Sequence, residues 1–437
     1  MGCVHYNLPQ PGGFFPHCPV GLDGWRFALL TQQEVDMGKA KLPAAVVIIL
    51  MAALALMPAA CSGGAASPSN TDTSSSSSSS QETNTQGSTS AKPTITISRF
   101  VSTGNMPEAR GYFVVAVLAD GRVVVAGGRA GAESTWAPAA INKTEIYDPA
   151  TGTWTAVADM NDLRERPTGH LLNDGRLIMI GGSHVRQEPY ETVEAFDFAS
   201  GTWTRLAPMS AKRWKHASTL LADGRVLVVG GEDENLKVIG SAEIYDPATD
   251  TWTPAGTLNE ARSLLSAVTL DDGRVLVFGG EVKDVKKFRT TEMYDPATNT
   301  WTAGPETERP HVESISMVLQ DGRVFVAGGT GRVTIAEMYD PATNTWTNAG
   351  EMGEWRSDFG GTLLPDGRVI LSGGIGTVDS TDIFDPAANT WTVGPKMTAP
   401  RYSHSVVALQ DGRVLIIGGQ TKAGTRSEFT NTTEISQ

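Results

Sequence analysis

The chain lacks several things, and each shortage narrows what it does. Its three cysteines, Cys3, Cys18 and Cys61, all lie near the start. The long remainder therefore forms no disulfide and offers no thiolate metal ligand. Basic residues are outnumbered: 35 Lys and Arg face 48 Asp and Glu, a formal charge of -13. A general nucleic-acid binder needs a basic face, so no nucleic-acid partner is expected. No G-x-S-x-G elbow, H-E-x-x-H pair or phosphate loop occurs. Common hydrolase, zinc-protease and nucleotide-enzyme signatures are therefore missing.

The N-terminal part reads as address rather than fold. Met37 begins MGKAKLPAAVVIILMAALALMPAACSGG. Lys39 and Lys41 supply a positive start, residues 42–57 an apolar core, and Ala59 and Ala60 small residues before Cys61. That is the layout of a secretory signal. It resembles a bacterial lipoprotein signal, in which the cysteine is lipidated and becomes the new N-terminus. It departs from that pattern at Pro58, where such signals usually carry Leu. The resemblance implies residues 37–61 as signal, a lipid on Cys61, export, and attachment to a bacterial membrane or cell surface. An ordinary signal peptide and an uncleaved anchor are the alternatives, because the run from Leu42 to Ala60 matches the ~20 residues of a spanning helix. Residues 1–36 are rich in Pro, Gly and aromatics without periodicity; they are expected to be a non-native extension, with Met37 the true start. Residues 62–93 include an unbroken serine run at 74–80 and almost nothing apolar, which predicts a disordered linker.

From residue 110 a unit repeats. A D-G-R or N-D-G-R turn, an apolar run and a Gly-Gly pair recur, the pairs beginning at Gly127, Gly181, Gly230, Gly279, Gly328, Gly373 and Gly418. In ASTLLADGRVLVVGG a first apolar strand reaches Asp223-Gly224, suited to a tight hairpin turn needing positive φ. A second strand ends at Gly230-Gly231, where a side chain would obstruct close backbone approach. AEIYDP is the third strand, and TWT around Trp252 the fourth. Trp154, Trp203, Trp252, Trp301, Trp346 and Trp391 share that register and read as packing between neighbouring units. A period of about 50 residues with this signature resembles the kelch family. The resemblance covers 94–437 and implies an all-β, seven-bladed β-propeller, expected as a monomer.

One stretch fixes the closure. RFVSTGNMPEAR, ending at Arg110, precedes any complete unit yet matches TWTPAGTLNEAR, ending at Arg262. Phe100 takes the Trp252 position, and the seventh unit stops after its third strand. Residues 94–101 are therefore expected to supply the missing strand of the last blade, leaving no free sheet edge.

Antiparallel blades put the uniform DG and DPATNT turns on one face and the unlike second-to-third loops on the other, together with the blade-to-blade connections. Rigid scaffolds carry function on variable loops. At one fixed offset before each Gly pair stand Arg110, Arg164, Arg213, Arg262, His311, Arg356 and Arg401. Two readings stay open: structural hydrogen bonding to loop carbonyls or a neighbouring blade's carboxylate, or a ring of cations bordering the channel and attracting an anion. Just beyond lie Tyr112, Phe113, Trp214, Lys215, His216, Glu313, Trp355, Tyr402 and His404. Aromatics beside Arg and His suit a sugar or carboxylated ligand; packing the channel mouth is the alternative, and His216 and His404 fit a structural role better than a catalytic one.

The architecture also resembles the propeller of galactose oxidase. That family's copper site needs a Tyr bonded to a Cys, and no cysteine follows Cys61, so no copper, other metal or cofactor is expected. Sialic-acid mutarotases, also secreted kelch propellers, share the fold but no specific motif, and fold alone does not imply function. The reading favoured is a tethered module binding a protein or glycan on the variable face; a carbohydrate epimerase or mutarotase using the same residues is the alternative.

Overall fold

The structure, a computed structural model, describes residues 94–131, 139–184, 188–376, 378–423 and 426–437. The extension, the signal-like segment with Cys61, and the serine-rich linker lie outside the described residues.

Among the described residues seven antiparallel blade sheets are present beside two two-stranded loop sheets, six of the blades built from four strands consecutive along the chain apart from short loop strands. The first strands, such as Val114–Val117, Thr168–Leu171 and Ala217–Leu220, touch the first strands of both neighbours all the way round, including Val114–Val117 against Ser405–Ala408. They therefore line the axis. The second strands are apolar runs such as VVVA, LIMI and VLVV, buried at every position. Strands covered on both faces lose the usual alternation, and these sit between two neighbouring blades. The expected seven-bladed kelch-type propeller is the fold.

The seventh sheet orders Ser405–Ala408, Val414–Ile417, Thr433–Ser436 and then Phe100–Ser102. Phe100 pairs with Ser436, Val101 with Ile435 and Ser102 with Glu434. Phe100 is buried among Leu364, Ile383, Met397 and Val406, between blades six and seven. The ladder is shorter than the expected 94–101. Residue 95 is held instead by the blade-six turn, its N–H donating to Asp366 Oδ2 at 2.8 Å.

The D-G-R turns differ in detail from the expectation. Leu118 N donates to Arg122 O, and Gly121 N to Leu118 O. That is a three-residue loop in which Gly121 alone takes positive φ, at 86°. Asp120 instead accepts from the Arg122 backbone N–H and side chain. In the fourth strands, Trp252 Nε1 donates to Ala207 O and Trp391 Nε1 to Ala349 O, each an atom of the preceding blade. Trp203, Trp252, Trp301 and Trp391 thus pack between blades and also pin them together, whereas among the described residues the Trp154 and Trp346 indole N–H groups find no acceptor.

Each Gly-Gly pair joins blades through its backbone. The second glycine's N–H donates to the carbonyl of the next blade's Arg or His, from Gly128 with Arg164 round to Gly419 with Arg110. At Gly279, φ is 65° and an added Cβ would lie 1.9 Å from His311 O. No other residue fits there.

Candidate functional site

The six arginines and His311 form one structural ring. All six guanidinium groups are buried. Arg213 is representative: Nη1 donates to Gly230 O at 3.1 Å and Ser241 O at 2.7 Å, and Nη2 to Glu243 Oε1 at 2.8 Å. Arg110 meets Glu145, Arg164 meets Glu194, Arg262 meets Glu292, Arg356 meets Asp382, and Arg401 meets Glu434. In blade five, His311 places Nδ1 3.0 Å from Gly328 O and Nε2 2.8 Å from Glu337. The acids are satisfied further by the entering loop, as where Ser210 N–H donates to Glu243. A buried ion pair is favoured when the remaining donors and acceptors are met; most are here, while among the described residues Nε of Arg110, Arg213 and Arg401 and Oε2 of Glu145 have no hydrogen-bond partner. The structural reading describes these residues; none borders the channel as a free cation. The carboxylate partner lies in the arginine's own blade, not in a neighbour. The repeated acid of TEIYD-type strands was legible in the sequence and would have supplied the partner.

His216 and His404 are likewise packed inward. His216 Nε2 lies 2.9 Å from Thr168 Oγ1, and His404 Nε2 2.8 Å from Ser372 Oγ, each reaching the preceding blade. Burial, with Arg213 and His170 nearby, lowers His216 to about 3. Burial beside Arg401 and Arg356 lowers His404 well below its ordinary value. Both are neutral at physiological pH, so neither offers a proton there. Trp214 is buried, with the Lys215 ammonium 4.0 Å above its ring. Trp355 is half-buried under Arg332, 5.6 Å away. Tyr402 donates its hydroxyl to Gln420.

Two residues past each arginine the chain does something else. Tyr112, Arg166, Lys215, Leu264, Glu313, Asp358 and Ser403 all adopt positive φ, between 49° and 57°. Non-glycine residues rarely do so, and seven at one register mark an imposed geometry. Backbone bonds run between them around the axis: Arg166 N to Tyr112 O, Leu264 N to Lys215 O, Glu313 N to Leu264 O, Ser403 N to Asp358 O and Tyr112 N to Ser403 O. This belt forms the channel mouth.

Its side chains reach across. Arg166, from blade two, pairs with Glu313 of blade five and lies 3.9 Å from Asp358 of blade six. The Arg166 guanidinium covers the Tyr112 ring at 4.1 Å, and the Tyr112 hydroxyl lies 3.5 Å from Asp358. Burial, then the Glu313 charge, raises the Asp358 carboxyl to about 6, although Arg166 opposes this. Burial and Asp358 raise the Tyr112 phenol as well. To one side, Lys215 Nζ lies 3.1 Å from both Glu232 oxygens, and Ser263 also donates to Glu232. The mouth is a closed, internally paired network with the Arg166 side chain across it. Sequence reading reached Tyr112, Lys215 and Glu313 but missed Arg166, Asp358 and Glu232. Among the described residues, no group of three or more His, Cys, Asp or Glu is placed to hold a metal ion.

These features define a class: a closed seven-bladed ring with a repeated, turn-built face and a divergent, loop-built face. The chain belongs to the kelch-repeat β-propellers. A model of the KLHDC2/KLHL20/DRC7 kelch-repeats domain matches residues 215–419, and the kelch motif matches 110–161 and 167–210. No curated protein matches the chain. Among solved structures, a fungal alcohol oxidase of the AA5 family in complex with copper is similar at 21% identity and a TM-score of 0.64. The match covers 78% of this chain and 76% of that one, a likeness of fold.

Proposed function

We propose that this propeller is a non-enzymatic binding module that recognises a protein partner on its variable loop face. One observation carries the reading: unspent side chains collect on that face. Large exposed apolar residues among the described ones are Leu236, Val285, Ile375 and Val393. The first three sit in loops that follow Gly-Gly pairs, on neighbouring or nearly neighbouring blades; Val393 alone sits on an outer strand. Exposed apolar groups gathered on one side support a protein contact better than a sugar contact. The opposite face spends its charge internally, as where Asp223 takes the Arg225 guanidinium. The proposal extends to tethering through a lipid on Cys61, with the serine-rich segment as spacer.

Panning displayed peptides and small domains against the full chain tests the reading. Enriched binders are expected to lose about tenfold or more in affinity on Val285→Asp with Ile375→Asp, the scale of losing interface anchors. They should tolerate Val393→Asp. Binders insensitive to the first pair and sensitive to Asp223→Ala would contradict it.

A further inference from the structure

The long blade-four loop and the short blade-five loop meet at a step. Residues 281–282 pair back on 286–287, so a small hairpin rises from blade four. Blade five continues from Gly329 through only Thr330–Thr334 before its third strand begins at Ile335. The mismatch leaves a cleft of about 470 Å³. Lys287, Arg309, Arg332 and Glu351 line it, with Thr330 and Thr334. Three cations thus face one carboxylate, in a chain whose net charge is -13.

These cations are less committed than any others described above. Lys287 Nζ donates to the Thr330 hydroxyl at 3.0 Å and, among the described residues, has no carboxylate within ion-pair distance. Among the described residues Arg332 meets the Trp355 ring and no carboxylate within ion-pair distance, and its backbone holds a positive φ of 60°. Arg309 has an exposed, distant partner in Glu308, at 3.9 Å. The neighbouring cations outside the cleft do have carboxylates: Lys286, next to Lys287, pairs with Glu260, and Arg289 lies 3.7 Å from Glu306. Val285 stands 79% exposed at the hairpin tip, and Ile375 stands 41% exposed on blade six.

We propose that this cleft is the recognition subsite for an acidic peptide segment of the partner, its carboxylates held by Lys287 and Arg332 and its apolar side chains set against Val285 and Ile375. The proposal rests on the reading of the variable face as the binding face. Arg332 supplies a planar fork for a carboxylate and Lys287 a mobile point charge. Val285 and Ile375, exposed in the variable loops of blades four and six, favour a peptide over a polyanionic glycan, which would not use them.

The test uses the full chain and a short labelled peptide alternating Glu and Leu, with its Gln and Leu counterpart and polygalacturonate as comparison probes. Fluorescence anisotropy should show binding of the acidic peptide only. Raising salt should weaken it. Lys287→Glu with Arg332→Glu should weaken it by about tenfold or more, with circular dichroism unchanged because both side chains are at the surface. Val285→Asp should weaken it as well. Absence of peptide binding, equal binding of the Gln peptide, or displacement of the peptide's role by polygalacturonate would overturn the proposal. Should the panned binders still depend on Val285 and Ile375 while ignoring Lys287→Glu with Arg332→Glu, the face stands and the subsite falls.

Discussion

Arg164 and Arg166 lie two residues apart in one blade connection and have opposite histories in the fold. Arg164 belongs to a register where six of seven blades carry arginine; it is buried and bonds Glu194 within its own blade. Arg166 belongs to a register where the blades carry Tyr, Arg, Lys, Leu, Glu, Asp and Ser; it reaches across the ring to Glu313. The first arrangement is a part copied seven times, because every blade must join its neighbour in the same way. The second is a single assembly that exists only once the ring is closed. Repetition here marks what builds the propeller, and divergence at constant backbone geometry marks what individualises it.

The comparison can be broken in several ways. The largest effect is expected from deleting residues 94–102, which removes the fourth strand of blade seven and bares the edge at Thr433–Ser436. Thermal unfolding should shift down by more than about 10 °C or lose cooperativity; an unchanged transition would refute the closure. Next comes Arg213→Ala, which strands Glu243 in the interior and should cost about 3–5 kcal/mol by chemical denaturation. Replacing both partners by apolar residues of similar size should recover much of that loss. Arg166→Ala, at a half-exposed position, should cost less, about 2 kcal/mol, while raising the Asp358 carboxyl further.

Asp358 gives the comparison a pH axis. Its carboxyl is raised to about 6 in the fold, against about 3.9 in an unfolded chain. A raised acid favours the folded state at pH below about 4, and that contribution is lost as pH rises through about 6. Asp358→Asn should therefore stabilise the protein by about 1 kcal/mol at pH 8 and flatten the stability profile between pH 4 and 6. Leu236→Gly is the smallest test. Leu236 holds φ at 59° on an exposed hairpin tip. Glycine there should relieve up to about 1 kcal/mol of strain, offset in part by unfolded-state entropy.

Much of the fold was legible because kelch units repeat. The Gly pairs, the D-G-R turns and the tryptophan register each have a local cause, and Phe100 at a tryptophan position disclosed the closing strand. The site was less so. The arginines were visible, but their meaning needed their partners, and Glu145 or Glu243 reads in sequence as one more strand residue. The mouth was harder still, since Arg166 and Glu313 share one register 147 positions and three repeats apart, and nothing in a repeat says which members of a register meet across the ring. The step between blades four and five was present as two loop lengths, yet only packing turned it into a cleft beside Lys287 and Arg332.

Hydrogen exchange of the full chain with and without a panned binder tests the division of labour most directly. Protection is expected across 281–289 and 330–335, with exchange in the D-G-R turns, such as 118–122 and 221–225, unchanged. Protection centred on those turns, with the variable loops untouched, would contradict it.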